Sequence, residues 1–253
     1  MSRMTAGVGR QVRAEAIKLR TIRSTYLLLA GGVALALVTL AAFLIFIPTD
    51  GSVIDAPAIR GLMEISGRGW LFALLIGVIV ASGEFRHLTI SGTLAAQPSR
   101  ATVLMAKSLA AAGAGAVLAV VSVAICALII IVDLLGQAPL GTLAVAAALQ
   151  AVGSILAFAL AAIAGVGLGA LLRVQVAAVV VALIWVLAVE PILALAWTAG
   201  APWLPGTAVT TLGATGLATD LAEASRSLGV LALVAGALVV VAALTTMRRD
   251  ITA

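Results

Sequence analysis

The sequence predicts an all-α, polytopic membrane protein: six transmembrane helices preceded by an amphipathic helix on the cytoplasmic membrane surface. Two observations lead there. Of 253 residues, 63% are hydrophobic and 10% charged, against roughly 45–50% and about 25% in soluble domains. A water-soluble fold of this size could not hide so much apolar surface. The apolar residues also gather in runs of about 20, the length a helix needs to cross a bilayer. A soluble single domain, a disordered chain and a disulfide scaffold are thereby excluded, and the lone Cys126 can form no internal disulfide.

Taken in order, the first span is Tyr26 to Ile47, ended by Pro48 and Asp50. Its 22 residues exceed a secretory h-region, and Ile45-Phe46-Ile47 is no small-residue cleavage site, so an uncleaved span is expected. The uncharged run Trp70 to Ser82 is too short alone; it crosses only if it starts near Leu62 and takes in Glu64 and Arg68, spaced to pair on one helix face. The third span runs from about Lys107 to Val132. A nearly charge-free stretch from Leu140 to Val189 divides at Arg173 into the fourth span and a fifth, which continues through Glu190-Pro191 to Trp197. Leu228 to Thr246 is the sixth. The expected organisation is a single transmembrane domain: 1–25 as the surface helix, 26–246 as the bundle and 247–253 as a tail, with no soluble domain beyond loops and tails.

Basic residues set the orientation. With both termini cytoplasmic, the inner side holds Arg3, Arg10, Arg13, Lys18, Arg20, Arg23, Arg86, Arg100, Lys107, Arg173, Arg248 and Arg249, twelve of the 15 Lys and Arg residues. Only Arg60, Arg68 and Arg226 fall outside. The net charge of +5 is thus read as a topology signal and not as a nucleic-acid footprint.

On a helical wheel from Val8, residues Val12, Ala16, Leu19 and Ile22 share an arc of roughly 120°. Arg10, Arg13, Lys18 and Arg20 point away from that arc and are available to anionic headgroups, whereas Glu15 falls inside the apolar arc and Ile17 outside it. The inner loop 83–100 is longer than a connector needs; its first half suits a short amphipathic helix, and Pro98-Ser99 supplies a turn and a helix cap. The loop from Trp197 to Arg226 carries an apolar stretch, Ala208 to Ala218, too short to span and expected to dip into the outer leaflet or cap the bundle. Trp70, Trp197 and Trp203 are expected in an aromatic belt at the outer headgroups.

Little in the chain suits catalysis. His87 is the single histidine, and no His, Cys and carboxylate cluster has metal-ligand spacing. Neither lysine, Lys18 or Lys107, lies in a phosphate-binding P-loop. Gly165-Val166-Gly167-Leu168-Gly169 lies within a span and predicts close helix packing, as do Gly113, Gly115 and Gly153. Glu190 is the one acid embedded in an apolar span, and Gln150 is a second polar group at depth; both are candidates for lining a pathway.

Three segments resemble the type-2 ABC exporter permeases, the six-span subunits of bacterial ABC transporters. They are the basic helix Arg13 to Tyr26; Gly83-Glu84-Phe85-Arg86-His87-Leu88-Thr89-Ile90 with Gln97-Pro98-Ser99-Arg100 and Lys107; and Trp203-Leu204-Pro205-Gly206 before the last span. The resemblance implies that the 83–100 loop, with Glu84, Phe85, Arg86 and His87, docks on a separate ATPase, with Glu84 as the acidic contact. It implies that Arg13, Glu15, Lys18, Arg20 and Arg23 belong to an interfacial connecting helix. Two ATPase subunits carrying ATP and Mg, and a second permease copy in a homodimer or heterodimer, would complete an exporter in the bacterial plasma membrane, with membrane lipid as its surroundings. The chain itself is then expected to bind no cofactor and to be no enzyme, moving an amphipathic drug, antibiotic or lipid-like molecule. The alternative is a secondary transporter or channel that needs no ATPase.

Overall fold

The computed structural model describes residues 2–46, 56–86, 99–214 and 220–248 of the chain. These residues are all-helical, and six helical stretches are long and apolar enough to cross a membrane: Arg23–Phe46, Pro57–Glu84, Ala101–Asp133, Leu140–Leu172, Gln175–Ala196 and Leu221–Thr245. This is compatible with a multi-pass membrane protein. The six follow the order of the apolar runs, and the differences lie at their ends.

Helix α1 (Ser2–Thr21) breaks at Ile22 and is followed by α2 (Arg23–Phe46), the first span. The second span is assembled from α3 (Ala56–Glu64), a 3-10 turn over Ile65–Gly69, and α4 (Trp70–Arg86). Gly69 is what lets that turn press on α2, because a Cβ there would lie 2.8 Å from the Gly32 carbonyl oxygen. The turn also tightens the spacing between Glu64 and Arg68 away from the α-helical geometry expected of them, and no ion pair joins the two.

Helix α5 (Arg100–Asp133) starts at the anticipated cap: Ser99 Oγ accepts from the Thr102 N–H at 3.4 Å and from its hydroxyl at 2.9 Å. Helix α6 (Leu140–Leu172) stops where the sequence divides, with Arg173 in the left-handed region (φ 57°) donating its N–H to the Gly169 carbonyl. The fifth span joins α7 (Gln175–Ile184) to α8 (Glu190–Ala196) through a π-helical turn at Trp185–Val189. Pro191 has no N–H to give, and its ring crowds the carbonyl four residues back. Widening the helix just before it accommodates both effects.

After a 3-10 turn at Ala201–Trp203 comes α9 (Pro205–Ala214), the short helix expected in the long loop; it packs on α6 and on α10 (Leu221–Arg248), the last span. Helix α10 begins a turn or more before the apolar run Leu228 to Thr246. Asp220 caps it by accepting the Ala222 N–H at 2.8 Å, and Glu223 and Arg226 pair at 3.2 Å within its first turns.

Helix α6 is the hub, packed on α4, α5, α9 and α10 around the fully buried Phe158. Its glycines make the close approaches anticipated for them. Gly165 and Gly169 meet the α4 backbone at Leu74 and Val78, while Gly167 meets α10 at Leu238 and Val239. Gly115 lies against the Phe158 carbonyl and Gly153 against that of Leu212. Gly113 departs from the expectation: it is exposed, and a Cβ there would meet nothing within 4 Å, because it sits on the outer face of α5 two residues from the packed Gly115. Half of the apolar window of α6 is buried inside the protein, against 17% in the first and fifth spans. Those two spans therefore turn most of their apolar side chains outward, including Leu27, Phe46, Val176 and Leu195.

Candidate functional site

Two polar constellations interrupt the apolar interior, at opposite ends of the bundle. The first joins α1 to the second and third spans. Glu15, placed by the wheel on the apolar arc of α1, faces α5 and is 2% exposed. Its Oε2 accepts from Lys107 Nζ at 2.9 Å and its Oε1 from Lys18 Nζ at 2.8 Å. Glu84, near the end of α4, lies 2.7 Å from Lys18 Nζ and 2.9 Å from Lys107 Nζ through Oε1. Two carboxylates and two ammonium groups thus alternate and balance. That balance is what makes burial tolerable, since an unpaired ion taken out of water costs several kcal/mol. Burial works against the charge on Lys18, but hydrogen bonds and Coulombic attraction from Glu15 and Glu84 outweigh it and hold its pKa above the usual lysine value.

Arg13 and Arg20 are exposed on α1, whereas Arg23, expected on the same interfacial helix, is exposed at the start of α2, past the break at Ile22. His87 lies outside the described residues, as do the side chains of Phe85 and Arg86. Of the four loop residues named from the resemblance, Glu84 is the one with a described side chain, and its carboxylate faces lysines of its own chain.

The second constellation holds α9 at both ends. At the start, Glu190 Oε1 accepts the Thr207 N–H at 2.9 Å, the Gly206 N–H adds a further hydrogen bond, and Glu190 Oε2 accepts Trp185 Nε1 at 3.1 Å. Trp185 and Glu190 are five residues apart; the π turn between them brings onto one side two residues that a regular α-helix would splay. Gly206 leaves room for the carboxylate, because a Cβ there would lie 2.7 Å from Glu190 Oε2. At the other end, Gln150 Nε2 donates to the Gly213 carbonyl and to Ser154 Oγ, and Ser154 Oγ donates to the same carbonyl at 3.3 Å. Free carbonyls at a helix end and free N–H groups at its start need such partners wherever water is excluded.

Beneath α9 is a cavity of about 380 Å³ walled by α4, α6, the fifth span, α9 and α10. Trp70, Trp185, Leu231 and Val234 are among its apolar walls, and Glu190 is the one ionisable residue in them. Gln150 is buried but does not border it. Trp197 and Trp203 are exposed, whereas Trp70, expected beside them in an interfacial belt, faces the cavity. Sequence reading did not single out Trp185 or Thr207. The available signal was an acid followed by proline inside an apolar span, which points to a break in regular helix at that spot. Among the described residues no three His, Cys, Asp or Glu side chains converge as metal ligands would.

Six apolar helical stretches, with a balanced charge cluster at one end and a carboxylate-bearing apolar cavity towards the other, are compatible with a multi-pass membrane protein. The chain matches no protein-family model, and no curated protein matches it significantly.

Proposed function

We propose that the chain is the permease subunit of an ATP-driven exporter of the type-2 ABC kind, offering a path to an amphipathic substrate and powered by separate ATPase subunits through the 83–100 loop. The observation that carries this reading is the Glu15–Lys18–Glu84–Lys107 cluster. Glu84 stands where the loop leaves α4, and Lys107 stands two turns into α5, where the chain returns from it. Cross-bracing these two legs to each other and to α1 makes one stiff body, so a push on the loop reaches two spans and α1 together. In this reading Glu84 acts by transmitting that push, since its described contacts are with Lys18 and Lys107.

Helix α1 is then the amphipathic connecting helix at the cytoplasmic surface, with its exposed Arg13 and Arg20, and Arg23 at the start of α2, towards anionic headgroups. Both termini are cytoplasmic, the membrane is a bacterial plasma membrane, and the working unit is two permease copies, alike or different, with two ATPases. ATP and Mg belong to those ATPases, in keeping with a sequence that lacks a P-loop.

A second reading, an ATPase-independent carrier, draws support from one observation: Glu190 gives the cavity an ionisable wall, as an ion-coupled site would need. The test of the leading reading is co-expression with a candidate ABC ATPase subunit from the same genome. The two should purify together, and Glu84→Ala should lower substrate-stimulated ATP hydrolysis by on the order of ten-fold while membrane insertion is unchanged. Hydrolysis equal to that of the unaltered complex would remove Glu84 from the coupling route.

A further inference from the structure

The cavity under α9 carries an inference about cargo, and it rests on the export reading: we infer that it is a binding site for lipophilic organic cations, with Glu190 as their counter-ion. Three observations combine. The walls are apolar apart from one carboxylate, so a ligand with many hydroxyls or phosphates would lose its water and find nothing to replace it. The volume of about 380 Å³ suits a compact, drug-sized molecule. And the single polar group in the walls is an acid.

The partners of that acid are informative. Glu190 accepts from Trp185 Nε1 and from the N–H groups of Gly206 and Thr207, all neutral donors, and among the described residues no Lys or Arg forms an ion pair with it. Contrast the other end of the bundle, where each buried carboxylate has two lysines. A carboxylate offers about four acceptor positions, and these donors occupy three of them. These neutral donors and the start of α9 hold the carboxylate in place without supplying a countercharge. A cation entering the cavity supplies the missing countercharge, and two indoles in the walls, Trp70 and Trp185, add rings that attract cations. An anion of the same shape meets only repulsion. A neutral hydrocarbon gains nothing from Glu190.

Tetraphenylphosphonium and its isosteric anion tetraphenylborate separate these cases. The purified full-length chain is placed in phosphatidylcholine nanodiscs without ATPase or nucleotide, and equilibrium binding is measured with empty nanodiscs subtracted. Saturable tetraphenylphosphonium binding is expected, with no saturable tetraphenylborate binding. Glu190→Gln should weaken the cation at least about ten-fold, the scale of one lost charge-assisted contact. Because Glu190 also holds α9, Val234→Trp provides a second arm: it fills the cavity from α10, should abolish cation binding, and leaves the carboxylate in place. Unaltered affinity in either variant, equal binding of the borate, or no saturable cation binding by the unaltered chain would each overturn the site. The outcome is separable from the export reading: a chain that binds the cation but recruits no ATPase keeps the site and loses the exporter, and the reverse result loses the site alone.

Discussion

Lys107→Met is expected to lower the stability of the folded chain by about 3–5 kcal/mol, the usual cost of removing one partner from a buried ion pair. Lys107 is 5% exposed at its side chain and serves both carboxylates, Glu15 and Glu84, at 2.9 Å each. Without it, those two acids share only Lys18, whose side chain is 43% exposed and partly solvated. The cost is therefore that of stranded negative charge more than of lost attraction. Removing one of the two charges that Lys107 balances should undo much of the damage. In the double variant Glu15→Gln with Lys107→Met, Glu84 and Lys18 remain as a neutral pair at 2.7 Å. Unfolding followed by circular dichroism in detergent should place this double variant above Lys107→Met by about 1–3 kcal/mol, within the range of coupling between contacting residues. Simple addition of the two single effects would mean that the four groups do not act as one cluster.

Gly77→Val should be at least as damaging, costing about 3 kcal/mol or more through forced overpacking. A Cβ at Gly77 would fall inside the van der Waals shell of the Ala162 carbonyl oxygen, and the facing Gly165 would do the same at Leu74. Backbone lies on both sides, so no flexible side chain can move aside, and α4 must separate from the hub helix α6. Gly113→Ala is the matched comparison on a neighbouring span. Nothing lies within 4 Å of a Cβ there, so replacing a helical glycine by alanine should stabilise by about 0.5–1 kcal/mol. Thermal unfolding of both variants in the same detergent reads the contrast; comparable losses would refute close α4–α6 packing as its source.

Helix existence is legible because apolar run length is a strong signal, and the ends are less so because a charged residue reads as a boundary even where it is neutralised within a span. Lys107 sits two turns inside α5, hidden by Glu15 and Glu84, which lie far away in sequence. Glu223 and Arg226 sit inside α10 because they neutralise each other. The charge cluster did leave one mark on the sequence: a carboxylate on the apolar stripe of α1, which calls for a cation across the interface but does not say which lysine. The α9 clamp was harder to foresee. Glu190 and Gln150 stood out as polar groups at depth, yet their use, holding the two ends of one short helix, depends on folding that brings Thr207 and Gly213 to them. The Trp185–Glu190 contact needs a π turn, which a search for the 3.6-residue period passes over.

The claim on which the rest depends is that the driving force comes from outside this chain. Purified protein in sealed vesicles, loaded with a tetraphenylphosphonium-type cation and assayed with and without its ATPase, addresses it directly. The account predicts accumulation against a concentration gradient only when the ATPase and ATP are both present, with imposed proton or sodium gradients having no effect on the chain alone. Uphill movement by the chain alone on such a gradient would contradict it.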